Sequence, residues 1–192
     1  VQPRLDDQEQ SVQLLYTVIP GPRCLFGPVT ILGDTLVSPR FIERQLAFRS
    51  GKPYSQKQLE QSQRQIYQLG LYQYVTVKAA LDSLKSPVLP VNVQVKAAKP
   101  WTVKTGIGYG IEDQVRLFVD IRKLNFVHGA RRLNLSLKHS HLEPYAIDLK
   151  VTQSGFPAPQ TSLVLNPFFL RQAEPGYTVD RTGVNVTHQQ RF

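Results

Sequence analysis

Methionine is absent from this chain of 192 residues, and cysteine and tryptophan occur once each. A lone cysteine, Cys24, excludes an internal disulfide framework and a cysteine-built zinc cluster. No apolar run reaches the roughly 18 residues of a membrane-spanning helix. That leaves open a barrel, whose strands are only half apolar. The absence of methionine gives the expectation that the chain is a processed or excised piece of a longer one, a signal peptide lying in the missing part. Nucleophile-elbow serines and paired carboxylates in a catalytic setting are also missing, so no enzyme activity is expected. Gly106-x-Gly-x-Gly110 lacks the following helix and lysine of a phosphate loop. His139 and His141 have only Glu143 close by among metal-ligating residues, and neither His128 nor His188 adds a cluster. No cofactor and no metal are expected.

The net charge of +9 admits anionic partners. The cations are scattered, however, with no basic helix and no aromatic–basic stacking platform. Nucleic acid is therefore not expected, and solvation of a wet face is the simpler account.

Hydropathy changes pattern near Pro100. Before it, residues 1–10 read as a polar, linking end, with Asp6-Asp7 solvated, and 12–19 as a strand ending at Pro20-Gly-Pro22. A strand over 24–32 precedes a turn at Gly33-Asp34-Thr35. Ser38-Pro39 opens a helix with Phe41, Ile42 and Leu46 on one stripe, closed by Gly51. Ser55 with Gln58 fits a capping box, and Leu59, Ser62, Ile66 and Leu69 share a helical face that ends at Gly70. Strands follow over 72–79 and 89–97. The order β-α-α-β-β over 24–97 predicts a three-stranded sheet with two helices on one face.

After Pro100, strand follows strand. Trp101, Val103, Ile107 and Tyr109 alternate with Thr102, Lys104, Gly106 and Gly108. Residues 114–123, 131–139 and 145–152 alternate likewise, and their apolar faces are read as uncharged. Two less regular strands, around 161–170 and 177–188, are interrupted by Pro167 and Gly183. Repeated alternation over about ten residues suits an outer-membrane barrel, with Trp101, Tyr109 and Tyr145 near strand ends as in an interfacial girdle. A soluble β-sandwich also alternates and stays open on pattern alone.

Gly27-Pro-Val-Thr-Ile-Leu-Gly33-Asp34-Thr35 and Ile66-Tyr-Gln-Leu-Gly70-Leu-Tyr72, followed by Val75-Thr-Val77, resemble a POTRA domain. Gly106-Ile-Gly-Tyr-Gly110 resembles the first barrel strand, and Asn125-Phe126 with Gly129 the turn after the second, of the outer-membrane assembly family of the BamA/TamA type, the bacterial surface antigens. The resemblance implies an α+β POTRA domain followed by the all-β antiparallel strands of an incomplete transmembrane β-barrel. It divides the chain into 1–20, the end of a preceding POTRA domain or a linker; 21–99, the POTRA domain; and 100–192, the N-terminal barrel strands. About six strands are readable, against roughly sixteen in the family's barrels, too few to close around a pore.

The implied protein lies in the Gram-negative outer membrane with its POTRA part in the periplasm. Its implied partners are unfolded outer-membrane or secreted β-rich proteins, the lipid bilayer and accessory periplasmic proteins. Self-association of the incomplete barrel strands is a further expectation. Clients would pair with the POTRA edge at Tyr74, Val75, Thr76, Val77 and Lys78, and with a gate strand at Thr105, Gly106, Ile107, Gly108 and Tyr109. For the gate strand a plain strand with small inward residues is an equal alternative, and for the POTRA edge an edge shielded by charge or by a neighbouring domain. Arg116, Arg122, Arg132, Lys138 and Lys150 would face the lumen, where they keep unfolded chains from sticking or attract acidic ones, or, as the preferred account, are simply solvated. The rivals are a two-partner secretion pore with one dedicated client, a barrel anchoring an enzyme domain outside this chain, and a soluble β-rich binding module.

Overall fold

The computed structural model describes residues 2–6, 11–15, 22–33, 36–80, 87–127 and 129–190, the first two segments as backbone only. Thus Asp7, 16–21, Asp34, Thr35 and His128 lie outside the described residues.

Residues expected as a polar linking end instead supply a strand. β1 (Gln2–Asp6) pairs antiparallel with β2 (Ser11–Leu15), matching Leu5 with Val12. Sparse apolar content hid it, because backbone hydrogen bonding to a neighbouring strand needs little side-chain preference.

The β-α-α-β-β unit forms as β3 (Leu25–Gly33), α1 (Pro39–Glu43), α2 (Gln56–Gln68), β4 (Tyr72–Ala79) and β5 (Val88–Ala97). The sheet order is β3-β5-β4, with β3 parallel and β4 antiparallel to the central β5. Val91, Val93 and Val95 point inward, all at most 2% exposed, while Asn92, Gln94 and Lys96 face water. Register sets Val75 opposite Val95 and Val77 opposite Val93, so one continuous apolar face meets Leu59, Ile66 and Leu69 of the helical layer. Gly70 has φ +69°, the left-handed residue that ends α2.

α1 is shorter than the stripe predicts. It ends at Glu43, and the chain turns through i→i−3 bonds from Gln45 N–H to the Ile42 carbonyl and from Leu46 N–H to the Glu43 carbonyl. Neither Ser38 nor Ser55 makes a side-chain cap bond. The connection is held from outside instead: buried Ser62 Oγ accepts from Ala47 N–H (2.9 Å) and donates to the Gln58 carbonyl (2.7 Å).

Beyond Pro100, six antiparallel strands follow in chain order: β6 (Trp101–Gly110), β7 (Gln114–Leu124), β8 (Arg131–His139), β9 (Tyr145–Ser154), β10 (Thr161–Glu174) and β11 (Tyr177–Gln190). Each connects to its neighbour, so β6 and β11 are the edges. The turn after β7 packs back onto the first unit. Leu124 and Ala130 are buried in the same apolar cluster as Ile66 and Val93, and Asn125 Nδ2 donates to the Leu36 carbonyl.

Candidate functional site

Register alone fixes the two faces of the six-stranded sheet. Thr102 pairs with Arg122, Arg122 with Asn134 and Asn134 with Lys150, while Lys104, Asp120, Ser136 and Asp148 form the next row. Arg116, Arg122, Arg132, Lys138 and Lys150 therefore share one face. Depressions of about 360 and 640 Å³ are lined mainly by residues of this polar face, making it the hollow side of the sheet. Strand alternation shows the shared face in the sequence; the order of residues across it needs the register.

The opposite face is apolar and uncovered. Ile107 is 80% exposed, Tyr109 76% and Val186 67%, with Val103, Leu117, Ile147 and Leu165 also open. Isolated exposed apolar residues are ordinary; a contiguous face spanning six strands is not.

The expectation of an uncharged face needs correction at the strand ends. Lys123 Nζ lies 4.6 Å from the centre of the Trp101 ring, and Arg131 Nε donates to Gln153 Oε1 at 2.7 Å, both at the end nearest the POTRA-like unit. At the far end Arg171 makes a two-pronged pair with Asp180, at 2.6 and 2.7 Å. Charge thus borders the apolar band at both ends, where a half-apolar strand would leave a lipid phase. A single-strand pattern cannot show this, because it is set by partners on neighbouring strands.

Thr105–Tyr109 lie on the edge strand β6. Thr105, Ile107 and Tyr109 belong to the apolar face, Gly106 and Gly108 to the hollow one. A methyl group on Gly106 would overlap the Phe118 ring, which lies across it from β7. The glycine is thus a seat for an aromatic ring.

Tyr74–Lys78 lie on β4, an edge of the three-stranded sheet. Val75 and Val77 point into the core, while Tyr74 is half exposed and Lys78 exposed. One outward donor of this edge already has a partner: Val77 N–H donates weakly to Gln63 Oε1 of α2, at 3.4 Å. Gln63 was not anticipated from the sequence. Among the histidines, His139 Nδ1 lies 2.6 Å from the Pro144 carbonyl oxygen.

Residues 25–98 match the POTRA family, described as "Surface antigen variable number repeat". Over 156 residues the chain is 18% identical to "Outer membrane protein assembly factor BamA" of Buchnera aphidicola subsp. Acyrthosiphon pisum (strain APS), covering 81% of this chain and 25% of that protein. Among solved structures, BamA from Haemophilus ducreyi lacking POTRA domains 1–3 superposes with a TM-score of 0.69 at 16% identity, covering 97% of this chain and 36% of that one. CdiB from Acinetobacter baumannii gives 0.59 at 15% identity, covering 86% and 33%. The chain spans about a quarter of the curated relative's length and about a third of each structure. Residues 25–98 belong to the POTRA family, and the chain as a whole has the fold of the BamA/TamA type, a POTRA domain leading into the strands of an outer-membrane β-barrel.

Proposed function

We propose that this chain is the POTRA–barrel junction of an outer-membrane protein assembly or translocation factor. The observation that carries the reading is the uncovered apolar face of β6–β11, bordered at both ends by charge and backed by a polar hollow face. Water leaves such a face unsatisfied, and burial in lipid at about 25 cal/mol per Å² stabilises it. Residues 100–192 then lie in the bacterial outer membrane and 21–99 in the periplasm, with 1–20 as the end of a preceding POTRA domain or a linker.

Clients in this reading are unfolded, β-rich outer-membrane or secreted proteins. They add a strand to Tyr74–Lys78 or to Thr105–Tyr109, where backbone groups on an edge recruit an extended chain with little sequence demand. The action is binding and handover, without covalent chemistry or a cofactor, and accessory periplasmic proteins share the work. A two-partner secretion pore with one dedicated client is the second reading, favoured by the fold likeness to CdiB.

Light scattering with and without detergent tests the membrane assignment. The expected result is a detergent requirement, or oligomers that hide the apolar face. A detergent-free monomer would overturn it. Photo-crosslinking from Tyr74 and Thr105 to several unrelated unfolded β-rich proteins tests the client assignment, and capture of a single client only would favour the secretion pore.

A further inference from the structure

We infer that the POTRA-side half of the hollow face binds an extended acidic polypeptide segment. Register extends one row of side chains across all six strands: Thr102, Arg122, Asn134, Lys150, Asn166 and Asn185. The neighbouring row on the POTRA side contributes Arg132 and is otherwise neutral, with Thr152 and Thr187 on nearby strands. The two depressions of about 360 and 640 Å³ meet at Arg132, so the row lines a continuous trough.

Neither row holds a carboxylate. Asp120 and Asp148 stand one row further out: Asp120, opposite Lys104, lines the outer side of the depression of about 360 Å³, and Asp148 accepts from Asn166 Nδ2 at 2.9 Å. The remaining acids of the hollow side, Asp113, Glu143 and Glu174, gather in a separate depression at the far end. The hollow face is therefore positive toward the POTRA domain and mixed beyond it. A low-dielectric wall concentrates such a field along the trough.

Geometry selects the class of ligand. Arg122 and Lys150 are two strands apart, about 10 Å at the usual strand spacing, so their charges do not converge on a single phosphate. They suit carboxylates spaced along a chain. Asn134 and Asn185 carry both donors and acceptors, as the peptide groups of a segment crossing the strands require, while Asn166 Nδ2 already donates to Asp148 Oδ2 and to the Leu149 carbonyl and leaves its Oδ1 as an acceptor. Five strand gaps make the row about 24 Å long, enough for about seven extended residues. The inference rests on the proposed barrel reading only in requiring that the hollow face meet water.

The test uses the full chain in a non-ionic detergent. The probe is a fluorescein-labelled peptide of alternating glutamate and serine, its lysine–serine counterpart is the control, and binding is read by anisotropy. The glutamate peptide is expected to bind, the lysine peptide not, with affinity falling as salt rises. R122Q/K150Q is expected to lose about tenfold or more in affinity, the scale of two removed charge contacts. R122K/K150R keeps the charge and is expected to stay within about threefold, which separates charge from folding. R116Q/K138Q, in the other half of the face, is expected to change affinity by less than about twofold. Equal loss in both neutralised variants, or no preference for glutamate, would overturn the inference. Displacement by inorganic phosphate beyond that by chloride at equal ionic strength would reassign the site to phosphate. A chain that requires detergent yet ignores the glutamate peptide sinks this inference and leaves the membrane reading standing.

Discussion

Ser62 shows how much one hydroxyl decides. It sits on the buried face of α2 with no exposed surface, yet it is polar, so burial is tolerable only if both its hydrogen-bonding roles are filled. They are, and through them the turn at Ala47 is tied to the helix. Ser62→Ala should strand the Ala47 N–H and cost about 1–3 kcal/mol, read as a shifted urea midpoint with unchanged slope. Gly106 is the counterpart in the barrel strands. Gly106→Ala should force the Phe118 ring out of its seat and cost about 1–3 kcal/mol in detergent, while Gly106→Ala combined with Phe118→Ala should cost less than the sum. The sequence marks Gly106 as a small residue on a strand and Ser62 as a member of a helical face. It does not name Phe118 and Ala47, the partners that come from segments 12 and 15 residues away.

Whole elements were far more legible. β4 and β8 have the expected bounds, β8 because it alternates without interruption and β4 although its register shifts between Tyr72 and Tyr74. β10 and β11 run beyond the expected ends near 170 and 188, to Glu174 and Gln190: pairing to each other carries both strands on regardless of the interruptions at Pro167 and Gly183. α1 fails in the opposite direction. A stripe of three apolar residues resembles a helix, but with Ala47 N–H held by Ser62 the chain turns at Arg44 and Gln45. Edges are not written in any one strand at all; β4 is an edge because β3 and β5 pair with each other. Gln63 then decides how open that edge is. Gln63→Ala should free the Val77 N–H and raise photo-crosslinking of an unfolded client from position 74, without changing the unfolding free energy by more than about 0.5 kcal/mol. Unchanged or lower crosslinking would place client capture elsewhere.

At the scale of the molecule, the two sheets do not meet through a free linker. Leu124 and Ala130, which belong to the barrel strands and their first POTRA-side turn, are buried in the POTRA core. Asn125 bonds to the Leu36 carbonyl, the Arg132 side chain lies against Gly70, and Gln45 lies against Gly155 of the next POTRA-side turn. These contacts fix the POTRA domain beneath the strand ends, beside the trough that holds Arg122 and Lys150. Sequence shows the two architectures and their border at Pro100, but this docking is made of residues from both sides and is legible in neither. Leu124→Ala removes a side chain only 6% exposed and should cost about 2–4 kcal/mol. If docking couples the two parts, the loss appears first as local opening at the border rather than within either sheet. Lys99, exposed between β5 and β6 and followed by Pro100, then becomes a sensitive site for endoproteinase Lys-C, which unlike trypsin cuts a Lys–Pro bond, and cleavage there should accelerate in Leu124→Ala well before the POTRA core is digested. Ile66→Ala, deep in the core, should instead speed digestion across the POTRA domain as a whole. Equal cleavage at Lys99 in the parent chain and in Leu124→Ala would mean that the domain is held by its own connection to β6 and not by the turn packed into its core.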